Sequence, residues 1–399
     1  MMGDMEPEKL REKRARMAAG GVVLAVAIAA FAAVMLLKDP LSIAIGGANS
    51  VASGTSGAVS GVAPGGNNAV LDTAASAAPL DVAAYRAKLL QIANLPTRTV
   101  TVTVTSTIPG TTTVRVYKET RTVTVHNGWP ASTTLPEGGA LLPFNRIVAY
   151  YGNFYSTQMG VLGEYPTDVM LAMLASTTAQ WAAADPSTPV IPALDYIAVT
   201  AQGSAGPDGK YRLRMPASQI QKAIDLADQI HGLVFLDVQV AQSNVETEVP
   251  LLAQFLKLPN VELCLDPEFD MPPGARPDTV IGSMSASDID FAANFLANIV
   301  KENNVPPKIL VVHRFTQHMV TNYQDITPLP QVEIVMDMDG WGPPAKKITT
   351  YEDFIAAEPV QFTGFKLFYK NDLLPPSTGM LTPQQILKLS PQPSFIQYQ

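Results

Sequence analysis

From Arg146 onward, short apolar runs alternate with stretches of helical spacing. The apolar runs are "RIVAYYG" (146–152), "VIPALDYIAV" (190–199), "GLVFLDVQV" (232–240), "VELCLDPEF" (261–269), "KILVVHRF" (308–315), "VEIVMDMDG" (332–340), "FTGFKLFYK" (362–370) and "SFIQYQ" (394–399). Each has strand length and is almost continuously apolar, as a strand covered on both faces requires. The spacing between them predicts helices over Thr167–Ala184, Ala217–Ile230, Val245–Leu256, Ala286–Asn303, Gln317–Tyr323, Tyr351–Ala357 and Pro383–Leu389. Parallel strands need crossover helices and eight of them close a sheet, so the pattern predicts an α/β fold, a (β/α)8 TIM-like barrel over 138–399. An open doubly wound sheet is the alternative. It usually carries a Gly-rich phosphate turn after its first strand, which "YYGNFYS" matches poorly.

Upstream the pattern changes. Arg98–Val125 alternates Thr with Val around Pro109 and Gly110, which predicts a β-hairpin packed on the main domain through its Val face. Asp81–Ala93 places Val82, Tyr85, Leu89 and Ile92 at helical spacing. The last run stops at Gln399, so the barrel lacks a C-terminal eighth helix, and the Asp81–Ala93 helix is expected to fill that sector. These two elements make up a small segment over 80–137. Residues 38–79 read as a flexible linker, because Ala, Gly, Ser and Asn dominate and charge is almost absent.

Met17–Leu37 has no charge and no proline and is long enough as a helix to cross a bilayer. Arg11, Lys13, Arg14 and Arg16 precede it within a basic tail over 1–16, and only Lys38 follows closely. That asymmetry predicts a single-pass plasma-membrane anchor with the N-terminus in the cytoplasm and the barrel outside. A cleaved signal peptide is the alternative, although its apolar stretch is normally shorter. The net charge of -8 argues against a nucleic-acid partner, and the single cysteine, Cys264, excludes an intrachain disulfide.

In such a barrel the loops at the strand C-termini build the active site. Polar residues gather at those ends: Asp195, Asp237 and Gln239, Asp266 and Glu268, His313, Asp337 and Asp339, then Lys366 and Lys370. Two carboxylates across a cleft suit glycoside hydrolysis, with Glu268 as the acid, Asp266 raising its pKa, and Asp337 or Asp339 opposing it. Tyr150, Tyr151, Tyr155, Trp341 and Tyr369 stand near strand ends where they could stack on sugar rings. Substrate contacts are expected from Asp237, Gln239, His313, Tyr151, Trp341, Lys366 and Lys370. A salt-bridge layer that only plugs the barrel is the competing use of the same residues, with Glu333 and Asp337 as partners for Lys366. A Schiff-base lyase using Lys366 as nucleophile is a further alternative.

"DPE" after the fourth run and "MDMDG" in the sixth resemble the Asp-x-Glu and Met-x-Asp positions of chitinase-type glycoside hydrolase barrels, with Glu268 matching the family's acid. The resemblance implies an enzyme acting on an envelope or extracellular glycan without a cofactor. It covers two strands only: "VELCL" stands where that family has a longer acidic run, and the last strand carries Gln397 and Tyr398 instead of a sugar-floor tryptophan. "LDPEF", "VVHRFT", "DMDGWGPP" and "GFKLFYK" resemble a bacterial group of exported barrels, which implies the fold and leaves the reaction open. Two other classes fit the same residues. One is a metal-dependent hydrolase with Asp237, Glu268, His313 and Asp339 around Mg²⁺ or Ca²⁺; the other is a tethered polysaccharide-binding protein without turnover.

Overall fold

The computed structural model describes residues 78–399 apart from 108, 110, 111 and 113. The basic tail, the predicted membrane helix and nearly all of the linker lie outside the described residues. So does Gly110 of the expected hairpin turn.

Eight parallel strands form the barrel: β1 (Arg146–Gly152), β2 (Val190–Ala201), β3 (Leu233–Val238), β4 (Val261–Leu265), β5 (Lys308–Arg314), β6 (Val332–Met338), β7 (Phe362–Leu367) and β8 (Phe395–Tyr398). Each pairs with its neighbours in chain order, and β8 pairs with β1 to close the cylinder. Because successive side chains leave a strand on opposite faces, each run serves two cores at once. Val148, Leu194, Leu236, Leu263 and Leu310 pack outward against the helices, while Ile147, Ala193, Phe235, Val311, Val335 and Phe395 fill the lumen. Double burial explains why the runs are apolar without alternating.

The helices are α1 (Val82–Ala93), α2 (Thr167–Ala184), α3 (Ala217–Gln229), α4 (Ala286–Asn303) and α5 (Pro344–Tyr351). α4 matches its predicted span because a capping box of Ser285 and Asp288 opens it and a left-handed Asn304 closes it. Elsewhere local chemistry overrides the expected helices. Val245–Leu256 splits into single turns, Val245–Glu248 and Ala253–Leu256, around a 3₁₀ turn containing Pro250, which has no N–H to give. Gln317–Tyr323 is not a helix: two 3₁₀ turns flank the short strand Val320–Thr321, and Asn322 at φ 56° ends the helical path. α5 starts earlier than expected, with proline in its first turn, and runs into a π-helical turn, Glu352–Ala356. Pro383–Leu389 reduces to one turn, Pro383–Ile386.

α1 does not fill the eighth outer sector. Its Tyr85 and Ile92 belong to the lumen core, and it hydrogen-bonds to segments that enter the strands from below. Lys88 donates to Thr188 at 2.7 Å, Asn94 donates to the Leu389 carbonyl at 2.9 Å, and Gln392 N–H donates to the Ile92 carbonyl at 2.7 Å. The helix therefore closes the barrel floor, where apolar lumen residues would otherwise meet water. On the outer side of β8, the buried Trp181 of α2 donates to the Tyr398 hydroxyl at 2.9 Å.

The Thr/Val hairpin pairs Thr97–Thr107 with Val114–Thr124, as expected. It does not pack on the barrel through its Val face, since none of its described residues is buried. Val114 and Val116 are more than half exposed.

Candidate active site

Period-2 alternation sends Tyr151, Asp195, Asp237, Asp266, His313, Asp337, Lys366 and Gln397 into the upper lumen, each at the C-terminal part of its strand or just past it. All are buried. Space for this layer depends partly on Gly364 of β7, where an added Cβ would lie 2.4 Å from Asp337 Oδ1. A side chain there would push the carboxylate away.

The rim of the layer holds three carboxylates, Asp266, Glu268 and Asp339, with oxygen atoms within 4.8 Å of one another. Asp266 follows the last residue of β4, and Pro267 starts the 3₁₀ turn Pro267–Phe269 that carries Glu268 above it. Gly282 pins this turn: its N–H donates to the Glu268 carbonyl at 2.7 Å, and a Cβ would collide with the backbone oxygens of Glu268 and Asp270. Glu268 is half-buried while Asp266 and Asp339 are buried. Gln239 donates to both Asp266 Oδ2 (3.2 Å) and the Tyr151 hydroxyl (3.1 Å). Its own side-chain oxygen accepts from Ala201 N–H, which fixes the amide's direction. Lys366 reaches the group from β7, with Nζ 3.0 Å from Asp339 Oδ1 and 3.9 Å from the Tyr151 ring centroid.

Burial and like charge act together here. Burial, then Asp266 and Asp339, push the Glu268 carboxyl well above its usual value, with Lys366 and His313 opposing. Burial, then Asp237 and Asp339, push Asp266 up to about 7. For Lys366 burial alone would lower the pKa, but Asp339 and Asp266 raise it overall. The ammonium thus stays charged, while burial and the neighbouring carboxylates favour the protonated form of Glu268 beside it.

Deeper in the lumen, His313 is surrounded by ionisable groups. Its Nδ1 lies 3.1 Å from Asp337 Oδ2 and 3.6 Å from Asp339 Oδ2. Its Nε2 lies 3.1 Å from Cys264 Sγ and 3.6 Å from Asp237 Oδ2. Burial works against charge on the ring, yet Cys264, Asp339, Asp237 and Asp337 together push His313 well up. On the far side, Gln397 donates to Asp195 Oδ2 at 2.6 Å.

Several expected residues meet and several do not. Glu268, Asp266, Asp339, Gln239, Tyr151 and Lys366 form one connected group. Asp337 does not oppose Glu268; it holds His313 below the rim. The partner of Lys366 is Asp339, not Glu333 or Asp337, and Glu333 accepts the Leu141 and Leu142 N–H groups at the floor. Lys370 lies outside the group, two-thirds exposed and paired with Glu164 at 2.6 Å. Trp341 is half-buried under the Lys346 ammonium, Tyr155 is exposed, and Tyr150 faces outward to hydrogen-bond Thr177 and Tyr369. Asp237, Glu268, His313 and Asp339 are not gathered as one ligand set; the ligand-like groups among the described residues are Asp266–Glu268–Asp339 and Asp195–Cys264–His313. A hard cation at the first would have to displace Lys366. Sequence reasoning missed Cys264 and Gln397, although Cys264 shares parity with Asp266.

No family model matches the chain, and no curated protein matches it. Among solved structures, the crystal structure of a GH18 chitinase from Pseudoalteromonas aurantia aligns over 64% of this chain and 79% of its own, at 13% identity and a TM-score of 0.25. An overlap that loose carries no argument about chemistry, which rests on the side chains themselves.

Proposed function

We propose that the barrel acts on a glycan by acid/base chemistry, with Glu268 delivering a proton to the departing glycosidic oxygen. The observation that carries this reading is the setting of Glu268: a half-buried rim carboxyl with oxygens of Asp266 and Asp339 within 4.8 Å, where burial and like charge favour its protonated form. A general acid must hold its proton at working pH, and a raised pKa on one carboxyl beside others is how such sites separate the roles. Asp339, paired with Lys366, is the carboxylate that faces the positive charge developing on the sugar. Its oxygen lies within 4.8 Å of Glu268, so both carboxyl groups face one point at the rim. Gln239, whose amide also donates to the Tyr151 hydroxyl, positions Asp266 beneath them.

The uncharged run over 17–37 adds a tether to this reading and puts the barrel outside the plasma membrane, next to envelope glycans. The test is a panel of envelope and extracellular polysaccharides assayed for new reducing ends with the wild-type chain and Glu268→Gln. A loss of about 10²–10⁴ in rate is expected for the variant. Equal rates would remove Glu268 as the acid.

A second reading is favoured by burial, since Asp266 and Asp339 are almost closed to solvent. It is a tethered glycan-binding protein without turnover. Binding of a polysaccharide with no product, equally strong in Glu268→Gln, would select it.

A further inference from the structure

Below the rim, a second set of side chains has the composition of a transition-metal site. Cys264 of β4, His313 of β5 and Asp195 of β2 bring ligand atoms within 4.8 Å of one another, and all three are fully buried. Asp237 of β3 lies beside the ring, its Oδ2 3.6 Å from His313 Nε2. Both oxygens of Asp237 lack a hydrogen-bond partner although the residue is completely buried, and Asp195 Oδ1 is equally alone. Buried carboxylate oxygens without a partner are costly, and native proteins almost always satisfy them.

We propose that Cys264 Sγ, the His313 ring and the Asp195 carboxylate bind one divalent ion of the zinc class, with the unpartnered Asp237 carboxylate beside them. A proton on Nε2 would be the alternative occupant, but it leaves the Asp195 oxygen unsatisfied, whereas a dication among Asp195, Cys264 and His313 gives that oxygen a partner and sets a positive charge beside Asp237. The donor set of thiolate, imidazole and carboxylate selects zinc-like ions over Mg²⁺ or Ca²⁺, which take oxygen ligands. Tetrahedral angles and metal–ligand bonds of about 2.0–2.3 Å place N and S roughly 3.5 Å apart. His313 Nε2 and Cys264 Sγ are 3.1 Å apart, and an Asp195 oxygen lies within 4.8 Å of the ligand atoms of both residues.

The surrounding shell is already built. Asp337 accepts from Nδ1 and so turns Nε2 toward Cys264, the carboxylate–histidine–metal arrangement that fixes tautomer and ring direction. Gln397 holds one Asp195 oxygen and leaves the other free. Complete burial of all three ligand residues closes the ion off from solvent, so this ion is structural: it ties β2, β4 and β5 together beneath the rim. The site goes beyond the glycan reading and does not use Glu268.

The experiment is metal analysis of the purified full chain, with X-ray absorption at the zinc edge. About one zinc per chain is expected, with one sulfur at about 2.3 Å and nitrogen or oxygen near about 2.0 Å. Replacement by Co²⁺ should give a thiolate-to-cobalt charge-transfer band that Cys264→Ser loses and Glu268→Gln keeps. Asp337→Asn should keep the band and weaken Zn²⁺ binding about 10–100-fold. A protein that carries no metal and takes up neither Zn²⁺ nor Co²⁺ on refolding overturns the proposal. So does an absorption spectrum without sulfur, which decides the matter even if Cys264→Ser does not fold.

Discussion

Lys366 Nζ lies 3.0 Å from Asp339 Oδ1, an ion pair between neighbouring strands in which both side chains are buried. Such a pair contributes little net stability as a pair, but removal of one partner strands the other charge. Lys366→Met should therefore destabilise the fold by about 3–5 kcal/mol, because Asp339 and Asp266 then face the lumen without the cation. Denaturant unfolding reads this directly. A cost under about 1 kcal/mol would mean that the carboxylates do not depend on Lys366.

Glu333 predicts a pH dependence of the opposite kind from the usual carboxylate. Burial pushes its carboxyl up to about 8, against the Leu141 and Leu142 N–H groups, which lower it. In the unfolded chain a glutamate titrates near about 4.3, so between these limits the folded state holds a proton that the unfolded state has lost. Stability from this group is full below the lower limit and falls as pH rises to about 8, by at most about 1.4 kcal/mol per pH unit. Asp270, pushed to about 7 mainly by burial, adds the same sign. Glu333→Gln should flatten the decline between about pH 5 and about pH 8, measured as unfolding free energy at several pH values. Parallel slopes would show that Glu333 is not the group responsible.

The floor helix gives a third expectation. Tyr85 is 1% exposed and sits at 6.1 Å edge-to-face from Phe144, inside the lumen core. Tyr85→Ala should cost about 3–5 kcal/mol through the cavity it leaves. On the same helix, Leu90 is 60% exposed, and Leu90→Ala should change stability by no more than about 0.5 kcal/mol. Equal effects at the two positions would mean that α1 does not close the floor.

The strands were legible in the sequence because double burial writes itself as continuous apolar runs, and their parity carried the site with it. Asp266, Asp337 and Lys366 all face inward, as parity requires. The partners across the lumen were not legible, because which carboxylate meets Lys366 depends on stagger between strands: Asp337 stands opposite Gly364 in register, and Lys366 reaches up to Asp339 instead. α1 was misread for a different reason. The stripe of Tyr85, Leu89 and Ile92 suits an outer sector or a floor equally, and only the short strand-entry loops at 187–188 and 388–392 decide between them. The hairpin shows a limit of the period-2 rule, which marks a strand and not what covers it.

The final prediction separates acid/base use of the rim from a passive plug. If Glu268 is the general acid, the basic limb of the kcat/KM profile reports loss of its proton, and that limb should move in opposite directions in two variants. Asp266 raises the Glu268 pKa by like charge, so Asp266→Asn should move the limb to lower pH. Lys366 lowers it, so Lys366→Met should move the limb to higher pH, measured at low temperature because the variant is expected to be less stable. A charge in this position is worth about one pH unit. Opposed shifts are difficult to obtain from general damage to the fold, which would lower rates in both variants without moving the limb. Shifts of the same sign, or none, would mean that a group other than Glu268 supplies the proton.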